Sequence, residues 1–385
     1  MRKRRRHTKK HPKIILCLIF TCSMVLLPTA ISFKNKDENT SEQVLQAEKA
    51  PENKYNSENQ IFAGAFHDGY VQMEQGTWNP LVDDSEGMLP IDNNKESEET
   101  PKRESDPGEK PYPTEWNVDS DYSIIRTNYG TYSGDLFFDL PTAGQVQNKT
   151  TSHSNAELLE ESQNMPAFKI AVNDEPQVLI MHTHTTETYE PCVRENYDNS
   201  FNYRTTDSSK NVVAVGDAIT AKLEKAGIGV IHSDVVHDYP SYNGSYERSA
   251  ETVSAILKEH PSIKVVLDIH RDAICTDTTL AQPVVEINGK EAAQIMIISG
   301  CDDGTMGMPD YLLNFRFACR LQEKMESLYP GFTRPLLFDY RRYNQDLTTG
   351  SLLIEVGSHG NTIEQAVYSG ELIGNALAEV LLALH

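Results

Sequence analysis

The stretch "MHTHTTETYE", residues 181–190, places two histidines and two glutamates directly behind the apolar run "PQVLI". Imidazole and carboxylate are the ordinary ligands of hydrolytic zinc. Such sites use three protein side chains and keep the fourth position for a water whose pKa falls to roughly 7. Two more stretches end the same way: "VVLDIH" closes on His270, and "LLIEV" carries Glu355 inside an apolar run. A glutamate buried there is costly without a partner, and it has the chemistry of a general base toward water and a general acid toward a departing amine. His182, His184, His270 and Glu355 are therefore the candidate set. Each histidine also has a plainer reading, as a hydrogen-bonding residue at a strand end. "HTH" does not decide between them, because alternate residues share a face and one ring can orient the other.

Residues so far apart in sequence meet only if the elements carrying them lie side by side. "QVLIM", "IGVI", "IKVVLDIH" and "SLLIEVG" are short continuous apolar runs, suited to strands covered on both faces. Between them, "SKNVVAVGDAITAKLEKAG" shows helical spacing through Val212, Val213, Ile219 and Leu223 and closes at Gly227, while "YERSAETVSAILKEHP" is a helix stopped by its proline. Further helices are predicted at about 310–328 and 362–384. The alternation predicts an α/β fold, a mostly parallel twisted sheet with helices on both faces and a ligand crevice at the carboxyl ends of the strands. Asn288-Gly289 predicts a hairpin that extends this sheet in antiparallel fashion.

The remainder of the chain has a different character. Residues 1–13 hold eight Lys or Arg and no acid, so a formal charge of -21 leaves -21 - 8 = -29 for everything after them. Residues 14–33 carry no charge and are long enough to cross a bilayer, which predicts a transmembrane anchor with the basic segment in the cytoplasm and the rest outside. A cleaved signal peptide fits less well, since the apolar run is long and "LPTAIS" is a poor cleavage site. Residues 34–144 are polar and acidic and predict a flexible linker, with the aromatic tract at 122–141 as a short docking element. Residues 145–385 are the predicted catalytic domain. The acidic balance excludes nucleic acid as a partner. Cys192, Cys275, Cys301 and Cys319 form no C-x-x-C pair and no evident disulfide framework.

Four blocks in this order, "QVLIMHTHTTETYEP", "SKNVVAVGDAI", "VVLDIHRDA" and "NQDLTTGSLLIEVGSHGNTIEQA", resemble the stage II sporulation protein P family of spore-forming bacteria. These are zinc-dependent cell-wall hydrolases related to N-acetylmuramoyl-L-alanine amidases, and the resemblance covers about 146–385. It implies a Zn2+ enzyme of the septal membrane that cleaves the amide between N-acetylmuramic acid and L-alanine, with endopeptidase action on cross-linked stem peptides as a second activity. It implies a role in thinning septal peptidoglycan during engulfment, beside the stage II sporulation proteins D and M.

By the same resemblance the zinc histidines fall on His184 and His270, and the catalytic glutamate on Glu355. Relatives draw the carboxylate ligand from the start of the helix after the first strand, where this chain offers Asp207; Glu187 is the rival and the choice made here. His182, Arg271, Asp272 and Asn361 are then substrate or supporting residues, with a structural Arg271-Asp272 pair as the plainer alternative, and His359 is a loop residue. A peptidase confined to stem peptides and a non-catalytic wall-binding scaffold remain the competing functions.

Overall fold

The computed structural model describes residues 108–385. The basic segment at 1–13, the anchor at 14–33 and the linker up to 107 lie outside the described residues.

An eight-stranded sheet organises the chain. Its centre comes from the apolar runs that the sequence singles out: β4 (Pro176–Met181), β5 (Gly229–His232), β6 (Val265–Asp272) and β11 (Ser351–Ser358). β11, β6, β4 and β5 lie next to one another in that order, all parallel. Alternate side chains go to opposite faces. Val178 and Ile180 join Val215, Ile219 and Leu223 of α2 (Val212–Lys225) in the large core, together with α5 (Ile363–Leu382). Leu179 and Met181 join Val253 of α3 (Ser245–Glu259) on the other side. Both faces are covered, which is why these strands read as unbroken apolar runs rather than alternating ones.

Beyond β11 the sheet continues through β9 (Ile295–Cys301), β10 (Leu336–Tyr340), β3 (Gln145–Asn148) and β2 (Phe137–Asp139). β9 runs antiparallel to β11, and β2 antiparallel to β3. Two further helices, α1 (Asn155–Ser162) and α4 (Tyr311–Leu328), complete the fold. Among the described residues no helix is long and apolar enough to cross a membrane.

Two expectations need correction. The Asn288-Gly289 turn does form, with both residues at positive φ (53° and 76°), and it joins β7 (Thr279–Ile287) to β8 (Lys290–Ala293). The hairpin does not extend the main sheet. It builds a separate three-stranded sheet because β1 (Ser123–Thr127) pairs in parallel with its outer edge. The same pairing corrects the linker boundary at 144: residues 108–144 supply β1 and β2, and the order comes from long-range partners. Arg126 pairs with Glu291, and the Tyr129 amide donates to Gln294 at 2.7 Å.

Candidate functional site

The carboxyl ends of β4, β6 and β11 form one floor. Glu355 stands directly opposite His270 in the β11/β6 register, so the two side chains leave the sheet on the same face. Asp268, two residues before His270, shares that face. After Met181 the chain leaves the strand and turns, which carries His184 over the floor, its ring centroid 5.2 Å from that of His270 in an edge-to-face arrangement. Glu187 sits beside them, with Oε2 at 3.5 Å from Nδ1 of His270 and accepting the Arg271 backbone N–H at 3.0 Å. All four of His184, Glu187, His270 and Glu355 are buried.

Each group is held from behind. His184 stacks on Tyr242 with centroids 4.6 Å apart, and a hydrogen bond of 3.2 Å links its Nε2 to the Tyr242 hydroxyl. Nδ1 of His184 is buried without a hydrogen-bond partner. Burial, then the charges of His270 and Arg204, hold His184 well below the usual histidine range, so the ring is neutral. Burial also pushes His270 down, but Asp268, Glu187 and Glu355 overcome it and raise this histidine to about 10. Nε2 of His270 lies 2.8 Å from Asp268 Oδ1, off the direction a hydrogen bond requires. Asp268 in turn accepts from the Thr183 amide at 2.8 Å and the Thr183 hydroxyl at 2.6 Å. Burial raises Glu187, against the pull of His270, Arg271 and Arg204.

The other residues singled out in the sequence fall elsewhere. Asp207 is exposed, and its Oδ1 accepts from the amide and hydroxyl of Ser209 in a local turn. His182 is fully buried on the opposite face of the sheet: Nδ1 donates to the Ile269 carbonyl at 2.9 Å, and Nε2 meets Nε2 of His232 at 2.9 Å. It braces β6 one residue before His270 and makes no substrate surface. Arg271 fastens the loop through the Thr188 and Tyr203 carbonyls, at 3.0 and 3.1 Å. Asp272 pairs through its carboxylate with Arg334 at 2.8 Å, and Arg271 reaches the Asp272 backbone carbonyl at 3.4 Å. Asn361 is fully buried; it accepts from the Ser358 amide and donates to the Pro283 carbonyl, both at 2.9 Å, beside the bulge after Glu355. His359 is buried against Tyr203.

Three supporting residues escape the sequence reading. Asp268 was visible in principle, because D-x-H on a strand puts both side chains on one face. Tyr242 and Arg204 were not. Arg204 lies 4.8 Å over the Tyr242 ring, bonds Asp238 at 2.6 Å and approaches Glu187 at 3.7 Å, and no local pattern marks it.

The donor set fits zinc in chemistry, two imidazoles and a carboxylate around a buried nitrogen that lacks a partner. Among the described residues, no three His, Cys, Asp or Glu side chains converge as a ready-made cage.

Comparison with known proteins adds a family. The model described as "Stage II sporulation protein P" matches residues 32–380. Stage II sporulation protein P of Bacillus subtilis (strain 168) is 28% identical over 282 residues, which is 69% of this chain and 66% of that protein; the chain thus spans about two thirds of its curated relative. Among solved structures, the N-acetylmuramoyl-L-alanine amidase AmiC2 of Nostoc punctiforme is 10% identical with a TM-score of 0.33, over 54% of this chain and 96% of that one. An N-acetylmuramoyl-L-alanine amidase from Clostridium difficile 630 is 16% identical with a TM-score of 0.33, over 55% and 97%. A metallo-carboxypeptidase from Burkholderia cenocepacia is 10% identical with a TM-score of 0.33, over 60% and 70%.

Proposed function

The chain belongs to the stage II sporulation protein P family, and from that premise we propose that it is a membrane-anchored zinc hydrolase of septal peptidoglycan, cleaving the N-acetylmuramoyl-L-alanine amide outside the cell membrane during engulfment. In this reading residues 14–33 anchor it, and the stage II sporulation proteins D and M are its partners. The observation that supports the reading is the register pair Glu355 and His270, with His184 and Glu187 folded over it.

His184, His270 and Glu187 would hold the metal. Bound zinc would polarise the amide carbonyl and make water acidic enough to attack at neutral pH. The chain supplies the rest. With the His184 ring proton on Nε2 and donated to the Tyr242 oxygen, Nδ1 keeps its lone pair for the metal. Asp268 and the loop around Glu187 hold the second ring and the carboxylate. Glu355, on the strand beside His270, takes a proton from the attacking water and returns it to the departing L-alanine nitrogen.

The test is elemental analysis of the full chain together with digestion of purified sacculi. One zinc per chain is expected, lost in His184→Ala, His270→Ala and Glu187→Ala and kept in Asp207→Ala. Glu355→Gln should keep zinc and peptidoglycan binding and lose turnover. New amino groups on L-alanine support the amidase; new termini within the stem peptide would transfer the reading to a peptidase. A chain that stays metal-free after zinc is re-added would end it.

A further inference from the structure

Residues 182–211, between β4 and α2, contain no helix or named strand. Irregular segments of that length are uncommon in a compact domain unless something else ties them down. This one begins with His184 and Glu187 and returns through Arg204, which is bridged to Glu187 across the loop. Its inner side is fastened: the Thr188 amide donates to the Tyr203 carbonyl at 3.0 Å, and Arg271 donates to the Thr188 and Tyr203 carbonyls.

The outer side is covered by the end of the linker. The Lys110 amide donates to the Thr206 hydroxyl at 2.8 Å, and the Thr206 amide donates back to the Lys110 carbonyl at 2.9 Å. The Tyr112 hydroxyl donates to the Tyr189 carbonyl at 2.7 Å, two residues from Glu187. The Trp116 ring packs against Phe201 with centroids 5.3 Å apart, and the Arg194 guanidinium lies 4.2 Å over it. The Asn117 amide closes the segment onto Asp198 at 2.9 Å. These contacts run along both legs of the loop, from Tyr189 to Thr206. Composition alone would assign this stretch to the tether, yet its bonds go to the segment that carries a candidate metal ligand.

We propose that residues 110–119, just before β1, are a positioning strap: they hold the loop that presents Glu187, so that metal retention and turnover depend on a segment outside the predicted catalytic domain. The proposal rests on the hydrolase reading for the role of Glu187. Supports one layer removed from a metal typically change its affinity by about 10- to 100-fold.

The experiment uses the full chain with Trp116→Ala, Trp116→Phe and Tyr112→Phe. Amide exchange is measured across 187–206 and across α5 in zinc-free protein, then zinc affinity by competition with a chelator, then kcat and KM on soluble peptidoglycan fragments. Trp116→Ala should speed exchange in the loop and leave α5 protected, weaken zinc by about 10-fold and lower kcat with KM little changed; Trp116→Phe should restore most of each. Loop exchange and zinc affinity both equal to wild type in a folded Trp116→Ala protein would overturn the strap. Should that variant fail to fold, Tyr112→Phe removes only the bond to the Tyr189 carbonyl, and unchanged loop exchange there overturns it equally. If no version binds zinc, the hydrolase reading fails separately, and the exchange measurement still decides whether the strap holds the loop.

Discussion

Glu190 offers a test of how this loop is held that needs no metal and no substrate. Its side chain is fully buried, accepts a hydrogen bond from the Tyr203 hydroxyl and pairs with Arg194. Burial dominates even so, and against the pull of Tyr203 and Arg194 it raises the carboxyl from 4.5 to about 7. Between those values the folded chain keeps a proton that the unfolded chain has released, so stability must fall as pH rises through the interval and level off above it. At about 1.36 kcal/mol per pH unit, the interval comes to about 3 kcal/mol. Glu190→Gln keeps an acceptor for Tyr203 and cannot ionise. At pH 4.5 both chains present Arg194 with a neutral partner and should be close in stability; by pH 8 the Gln variant should be more stable by about 3 kcal/mol. The assay is urea unfolding of both proteins in chelator at matched pH values, where the difference between them cancels every other titrating group. A difference that stays flat from pH 4.5 to 8, or that turns in favour of Glu at high pH, would refute the argument that burial outweighs the Arg194 pair.

Two substitutions probe the supports behind the site. Gly216 lies inside α2, where alanine ordinarily gains about 1 kcal/mol over glycine; here an added Cβ would stand 2.4 Å from Nε2 of His232 and 3.0 Å from Nε2 of His182. Gly216→Ala should therefore lose about 1–3 kcal/mol, and a raised Tm would contradict it. Asp268→Ala leaves the buried Thr183 amide without its acceptor, while the Thr183 hydroxyl keeps the Ser249 hydroxyl at 2.8 Å, at a cost of about 1–3 kcal/mol in urea unfolding. It should also weaken zinc by about 10- to 100-fold in chelator competition, and an unchanged affinity would remove Asp268 from the support of His270.

How much of this was legible follows from where each signal resides. The central strands were, because burial on both faces leaves a local imprint, and the helices α2, α3, α4 and α5 were, because their apolar spacing and stop signals are local too. The Asn288-Gly289 turn was readable for the same reason, but not the sheet it joins, which is decided by β1 arriving from more than a hundred residues earlier. The end of the linker was hidden by its own composition. "YSIIRT" is a strand only because β7 offers an open edge, and Tyr112 and Trp116 are ordered only because the loop at 189–206 receives them. At α1 the signal is local: Ser154 and Glu157 form a capping box, and S-x-x-E before "LL" announces it.

The histidine pair at 182 and 184 shows where spacing stops being a guide. Alternate residues share a face only while the strand lasts, and β4 ends at Met181. His182 still follows the alternation of Val178 and Ile180 toward α2, where it meets His232 and the approach of Gly216. His184 comes after the turn and is set by Tyr242 and His270 instead. One histidine thus supports β6 from behind while the other lies beside His270 on the opposite face, and the strand between them carries His270. Two rings that the sequence presents as equivalent donors are divided by the sheet itself. The two rings differ in their surroundings: the front ring has a buried Nδ1 without a hydrogen-bond partner, and the back ring, with its Nδ1 on the Ile269 carbonyl, fixes the backbone from which the facing histidine projects.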